Sequence, residues 1–416
     1  MFGQATDMAR RDKSLAWRDG NRIELLQNGR QFFPALCQAI DAAQASVHLE
    51  TYIFNLDATG LKVLDHLARA CGRGVKVRVV IDGFGSYENT AEITRRLDEM
   101  GAQHRVYRPE PTGLRRYRFS LRRLRRLHRK VTVVDNLVGF VGGINILDDL
   151  EDVPDDGKGP MPRFDFAVRV RGPVVQDLAR AQSDLWIRMA WRRRDNWAEF
   201  YRRIKGWRKR RSEALAGSLP TFTPGMRATV LLRDNLRFRN TIENVYIGAL
   251  DHARHDALIA NSYFFPGRGL RSALRRAARR GVRVRLLLQG RSEYALQYRA
   301  CRSMYRKVLE DGIEIYEYMP SYLHAKVAVM DGCAMVGSSN MDPFSLLLAR
   351  ETNIFVDDAG FAGQLKAALE GELSSSCRRV TPESRSKSSW IERLVDAASY
   401  FMLRAGVALT GKSSQY

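Results

Sequence analysis

An α/β fold made of two copies of one unit is what the amino-acid sequence predicts, each copy a mainly parallel mixed β-sheet flanked by helices. Three observations carry this expectation: segments that recur in the same order in both halves, apolar runs of strand length alternating with helical patterns, and one short polar signature written twice.

The recurrence comes first because it sets the organisation. "WRDGN" (17–21) returns as "LRDN" (232–235), and "AIDAAQASVHLETYIF" (39–54) as "ALDHARHDALIANSYFF" (249–265). "RGVKVRVVIDG" (73–83) returns as "RGVRVRLLLQG" (280–290), followed in both halves by the polar signature. A period of about 200 residues means duplicated domains, since solenoid units run only ~20–50 residues.

Within the second copy, "ALIANSYFF" reads as a buried strand and "GLRSALRRAARR" as a helix with its basic face outward. "VRVRLLLQ" and "IEIYEYM" read as strands on either side of another helix. Strands alternating with helices in this way predict parallel pairing with helical cover. The first copy carries an insertion after Pro173, basic and aromatic over about 186–211, and a boundary falls near residue 215 at "ALAGSLPTFTPG". The expected units are 1–215, 216–375 and a tail over 376–416.

The 416 residues include 68 Lys and Arg against 46 Asp and Glu, a net charge of +22, which favours phosphate-rich partners. The five cysteines, Cys37, Cys71, Cys301, Cys333 and Cys377, are scattered and show no CxxC spacing, which fits a reducing compartment and implies no zinc or iron–sulfur cluster. The N-terminal residues lack a signal-peptide core, and no run reaches ~18 uncharged apolar residues. If the protein meets a membrane, it is expected to lie on it, not to cross it.

The repeated signature is "LHRKVTVVD" (127–135) and "LHAKVAVMD" (323–331). On a strand, alternate residues share a face, so His128 and Lys130 point together, as do His324 and Lys326. Asp135 and Asp331 fall just past each strand beside Asn136 and Gly332, where tight turns form. Small-residue turns follow, "GGIN" with Gly143 and Asn145 and "GSSN" with Ser339 and Asn340. So many lysine, imidazole, amide and turn donors suit the non-bridging oxygens of a phosphate.

This doubled His-x-Lys pattern with its trailing Asn resembles the phospholipase D superfamily. Over nearly the whole chain, "LETYIF", "VGGIN", "ANSYFFPG" and "VGSSNMDPFSL" are similar to bacterial cardiolipin synthases of the short B-type subgroup. The resemblance implies two lobes about a pseudo-two-fold with a single active site between them. It implies that His128 attacks phosphorus to give a phosphohistidine and that His324 serves as acid and then base. Lys130, Lys326, Asn145 and Asn340 would stabilise the phosphoryl oxygens. Lysines lower a histidine's pKa, and a carboxylate behind each ring would restore its basicity. The matching family positions are Asp165 and Glu351, while Asp135 and Asp331 are expected to brace the loops. No metal or other cofactor is implied.

By the same resemblance the donor is phosphatidylglycerol, the acceptor a hydroxyl of a second phospholipid, and the product a cardiolipin with glycerol released. The implied location is peripheral, on the cytoplasmic face of the bacterial inner membrane. "GLRRYRFSLRRLRR" (113–126) and "WIRMAWRRRDNWAEFYRRIKGWRKRR" (186–211) interleave aromatics with cations, as anionic interfaces favour. In 390–409, Trp390, Leu394, Ala397 and Phe401 share a helical face that suits either a membrane surface or the protein's own core. The alternatives are a nuclease or phosphodiesterase of the same superfamily and a phospholipid hydrolase. No nucleic-acid partner is expected, because the aromatics cluster with arginines outside the motif strands.

Overall fold

Two runs of strands and helices follow one another in the same order. The computed structural model describes residues 15–111, 125–155, 157, 159–192, 225–234, 238–342, 349–383 and 389–408. The first run comprises β1 (Arg18–Gln27), α1 (Asn28–Asp41), β2 (Ser46–Thr51), α2 (Ala58–Gly72), β3 (Lys76–Asp82), α3 (Thr90–Glu99), β4 (Gln103–Tyr107), β5 (Val131–Val134), β6 (Val138–Gly142), β7 (Phe166–Arg171) and α4 (Val174–Arg192). The second comprises β8 (Met226–Arg233), α5 (Thr241–His252), β9 (Asp256–Asn261), α6 (Arg268–Arg279), β10 (Arg283–Gln289), α7 (Ala295–Ser303), α8 (Tyr305–Glu310) and β11 (Glu314–Tyr318). It continues with β12 (Lys326–Met330), β13 (Cys333–Gly337), β14 (Glu351–Asp357), α9 (Ala359–Ser375), β15 (Cys377–Val380) and α10 (Trp390–Ala408).

The strands join in one sheet of order β15-β11-β10-β9-β12-β13-β14-β8-β1-β7-β6-β5-β2-β3-β4. Read outward from the antiparallel β8·β1 pair, both directions repeat one sequence of partners, and β15 is the extra strand. A two-fold through that pair therefore relates the halves. Beyond it the halves face each other, with β6 and β7 against β13 and β14.

Their shared core is built from Val131, Val133 and Val168 of one half with Leu258, Val327 and Val336 of the other. The outer face of each half is covered by helices, through Leu36, Ile40, Leu64 and Leu67 on one side and Leu250, Leu270 and Leu274 on the other. Covered on both faces, the motif strands read as unbroken apolar runs, not as alternating patterns.

The local chemistry agrees with these elements. Asp57 and Asp358 cap α2 and α9 by accepting hydrogen bonds from Gly60 N and Phe361 N, each at 2.8 Å. In α6, Leu270, Ala273, Leu274 and Ala277 face inward at helical spacing and leave the arginines outside.

Several expectations need correction. Parallel pairing is confined to β2–β3–β4 and β9–β10–β11, and every other pair is antiparallel, because only the former are joined through helices. The tight turn after each motif strand makes a hairpin. "WRDGN" opens β1 whereas "LRDN" closes β8, whose last two residues are Leu232 and Arg233, so that short match joins positions that are not equivalent. By register, Gln27 opposite Phe166 corresponds to Leu232 opposite Thr352. The sheet also runs past residue 375, since β15 pairs with β11.

The boundary near residue 215, most of 113–126 and residues 193–211 lie outside the described residues. Trp186 is not at an interface with solvent: it is 4% exposed, with the Arg105 and Arg78 guanidiniums 4.2 and 5.0 Å from its ring.

Asp135 and Asp331 hold the hairpins to the strand entrances. Asp135 accepts from the amides of Gln44, Ala45 and Ser46 at 2.7–2.8 Å, and Asp331 from those of Arg254, His255 and Asp256 at 2.8–3.1 Å. Both have positive φ, +52° and +49°. They brace the loops and are not among the residues that line the cleft described below. Replacing either by Ala leaves three amides without an acceptor and should cost about 2 kcal/mol, measured by urea unfolding. An unchanged midpoint would show that water replaces the carboxylate without loss.

Candidate active site

The backbone leads each motif from its own half across to the other. Leu127 N donates to Asp82 Oδ2 at 2.7 Å, and Leu323 N donates to Gln289 Oε1 at 2.8 Å, from the equivalent ends of β3 and β10. The next residues then bond to the opposite half: His128 N to Arg350 O at 3.0 Å, and His324 N to Phe164 O at 2.9 Å. Each histidine therefore stands one residue from a carboxylate of the half it does not belong to.

Those carboxylates are Glu351 and Asp165. His128 Nδ1 lies 3.0 Å from Glu351 Oε1 and 3.0 Å from the Ser338 carbonyl oxygen. Both partners can only accept, so Nδ1 carries the proton and the neutral ring keeps its lone pair on Nε2. His324 Nδ1 lies 2.6 Å from Asp165 Oδ2. Both histidines line a single cleft of about 880 Å³, so the two halves contribute to one site.

Burial sets the charge state. It lowers the pKa of His128, with Glu351 opposing and Lys130 assisting, and it lowers that of His324 further, with Lys326 and Lys130 adding to the effect. Burial also pushes the Lys130 ammonium down to about 7 and that of Lys326 to about 8, and raises the Asp165 carboxyl to about 6. Near neutrality Lys130 is thus only partly charged, and a bound anion would favour its protonated form.

The other expected residues divide into two groups. Asn145 and Asn340 line the cleft at equivalent places, while Lys130 and Lys326 are buried beneath it. Lys130 Nζ bonds to the His128 carbonyl and sits 5.2 Å from the Tyr52 ring, and Lys326 Nζ bonds to the His324 carbonyl and to Ser262 Oγ.

The backbone amides of Gly143 and Ser339 are not free for a phosphate. The Gly143 amide is used by Phe166 O at 2.9 Å and that of Ser339 by Asn353 Oδ1 at 3.3 Å, and neither residue reaches the cleft. Gly143 is required instead for space, since a Cβ there would stand 2.3 Å from Asp165 Oδ1. Its counterpart is Ser338, whose Oγ donates to Glu351 Oε2 at 2.6 Å.

Residues not singled out from the sequence complete the walls. Tyr52 meets His128 edge-on at 4.9 Å, and Asn28 accepts from Asp165 N at 3.0 Å. Glu293 bonds Arg163 and the Tyr263 hydroxyl, each at 2.9 Å. Tyr52 and Tyr263 stand in the repeated "TYIF" and "NSYFF" segments, which carried a signal; Glu293 and Arg163 stand outside every repeat.

The cleft is also lined by Glu88, Glu110, Asp148, Asp149, Glu151 and Asp152 with Arg126 and Arg163, and by aromatics, Phe84, Tyr87 and Tyr294 being exposed by 53%, 39% and 56%. Among the described residues, no group of three or more His, Cys, Asp and Glu is arranged to hold a metal ion.

The sequence pattern described as "Cardiolipin synthase, PLD-like domain" matches residues 36–149 and 246–372, one match around each motif. The chain belongs to the phospholipase D-like cardiolipin synthase family. Family members include Cardiolipin synthase B of Salmonella typhimurium, 38% identical over 398 residues that span 95% of this chain and 91% of that one. Cardiolipin synthase B of Escherichia coli K12 is 36% identical over 401 residues, with the same coverage. The fold is also that of a solved phosphatidylserine synthase from Haemophilus influenzae, with a TM-score of 0.67 and 14% identity over 98% of this chain and 99% of that one.

If the buried lysines hold an anion, sulfate, whose charge is constant near neutrality, should bind about tenfold more weakly at pH 8.5 than at pH 6.5, as the lysines lose their protons. Calorimetric titration at the two pH values measures this. Equal affinities would mean that other groups hold the anion.

Proposed function

We propose that the chain is a cardiolipin synthase that transfers a phosphatidyl group from phosphatidylglycerol to a hydroxyl of a second phospholipid, and releases glycerol. The observation that carries the mechanism is the pair of imidazoles in one cleft, each held at Nδ1 by a carboxylate of the other half.

His128 Nε2 attacks phosphorus as the P–O bond to the glycerol headgroup breaks, and His324 gives a proton to the departing oxygen. The acceptor hydroxyl then yields its proton to His324, forms the new P–O bond and displaces His128. Glu351 and Asp165 fix the rings and stabilise their protonated forms. Burial keeps both rings neutral in the free protein, as the nucleophile requires, and the incoming phosphate anion raises the His324 pKa toward its acid role. Lys130 and Lys326 beneath the phosphoryl oxygens, with Asn145 and Asn340 beside them, offset the charge that develops there.

Two features favour a lipid over nucleic acid. A polyanion would meet the carboxylates that line the cleft, whereas a lipid brings a single phosphate diester. The exposed Phe84, Tyr87 and Tyr294 offer apolar contact for acyl chains. No helix among the described residues is long and apolar enough to cross a membrane, and the working location we propose is peripheral, at the cytoplasmic face of a bacterial inner membrane.

Incubation with labelled phosphatidylglycerol in mixed micelles tests this reading. Cardiolipin with free glycerol is the expected product; phosphatidic acid would identify a hydrolase, and no turnover would remove both. His128→Ala and His324→Ala should each lower the rate by about 10³-fold or more, with wild-type thermal stability as the folding control.

A further inference from the structure

A second cavity, of about 550 Å³, lies away from the catalytic cleft between α6, α8 and α10. One wall carries Arg268, Arg271 and Arg275, in line on α6, and the next carries Arg306 and Lys307 from α8; Asp311 is the acidic residue among the lining groups. Arg276, one position further along α6, is bidentate to Asp251, and Arg306 stands 3.7 Å from Glu310. Arg268, Arg271, Arg275 and Lys307 make no ion pair among the described residues. Met304, Val308 and Phe401 supply an apolar side to the same groove.

The helix that closes the groove is built inside out. α10 buries Asp396, Ser399 and Leu403, with Asp396 3.5 Å from Arg299, and turns Ile391, Leu394, Val395, Phe401 and Met402 outward. Their exposures are 55%, 61%, 42%, 67% and 63%, so the apolar stripe faces away from the protein. Such a stripe beside unpaired cations matches the layering of a bilayer surface, acyl chains on one level and phosphates on the next.

We propose that this groove is an accessory lipid site, which holds the phosphate headgroup of an anionic phospholipid while the outer face of α10 rests among the acyl chains. The occupant is lipid and not nucleic acid because Phe401 belongs both to the groove and to the apolar stripe, so a ligand in one touches the other. Tyr263 lines the catalytic cleft and the next residue, Phe264, lines the groove. The proposal deepens the membrane-surface part of the function proposed above and does not depend on the transfer reaction.

The test uses the full chain and vesicles of phosphatidylcholine, alone or with one-third phosphatidylglycerol. Arg275→Glu combined with Lys307→Glu should weaken cosedimentation with the anionic vesicles about tenfold or more, and Arg275→Gln combined with Lys307→Gln should weaken it about threefold or more. Turnover of detergent-dispersed phosphatidylglycerol at saturation should stay near wild type in both variants, since neither residue lines the catalytic cleft. Undiminished binding to anionic vesicles overturns the site, whatever the turnover. Release of wild-type protein by excess glycerol phosphate also overturns it, by making a free phosphate ester the ligand. Loss of plasmid DNA binding without loss of vesicle binding would do the same in favour of nucleic acid.

Discussion

Each imidazole at the cleft depends on a carboxylate that its own half does not supply. His128 leans on Glu351 and His324 on Asp165, at 3.0 and 2.6 Å, and both contacts need the sheet to double over at the β8·β1 pair. A charge-assisted hydrogen bond of this kind is directional, so the approach of the halves is constrained at the site as well as in the apolar layer between them. The bridges Leu127–Arg350 and Phe164–Leu323 set the same geometry one residue earlier in the backbone. Catalytic alignment and the packing of the two halves are therefore a single constraint.

Charge is partitioned over the molecule in a way that the total of +22 conceals. The cleft is lined by carboxylates, the buried lysines have their pKa values lowered by desolvation, and cations without an ion pair among the described residues gather beside the outward apolar face of α10. Net charge alone cannot separate a lipid partner from a nucleic acid, because both are anionic. The distribution is more specific: cations line the groove beside α10, while carboxylates line the catalytic cleft.

Much of the site was legible because it rests on short-range rules. Alternation on a strand put His and Lys on one face and turn chemistry placed Asp135 and Asp331, while Asp165 and Glu351 came from the family resemblance. What depends on the doubling of the sheet was not legible. The exchange of carboxylates between halves is one such feature, and the role of Gly143, which makes room for Asp165 instead of lending its amide, is another. For 390–409 the helical period was readable but the direction of its apolar face was not, since Asp396 facing inward is fixed by Arg299 on a helix nearly a hundred residues earlier. The match of "WRDGN" with "LRDN" failed because four residues are too few to set a register.

The crossed clasp of carboxylate and imidazole makes this chain a dimer tied in series. In a two-fold assembly of identical subunits every contact occurs twice, and a change in one copy alters both. Joining the copies frees them to diverge, as Gly143 opposite Ser338 and Tyr52 opposite Ser262 already have. It also removes their independence, because either half alone would carry an imidazole without its counter-charge.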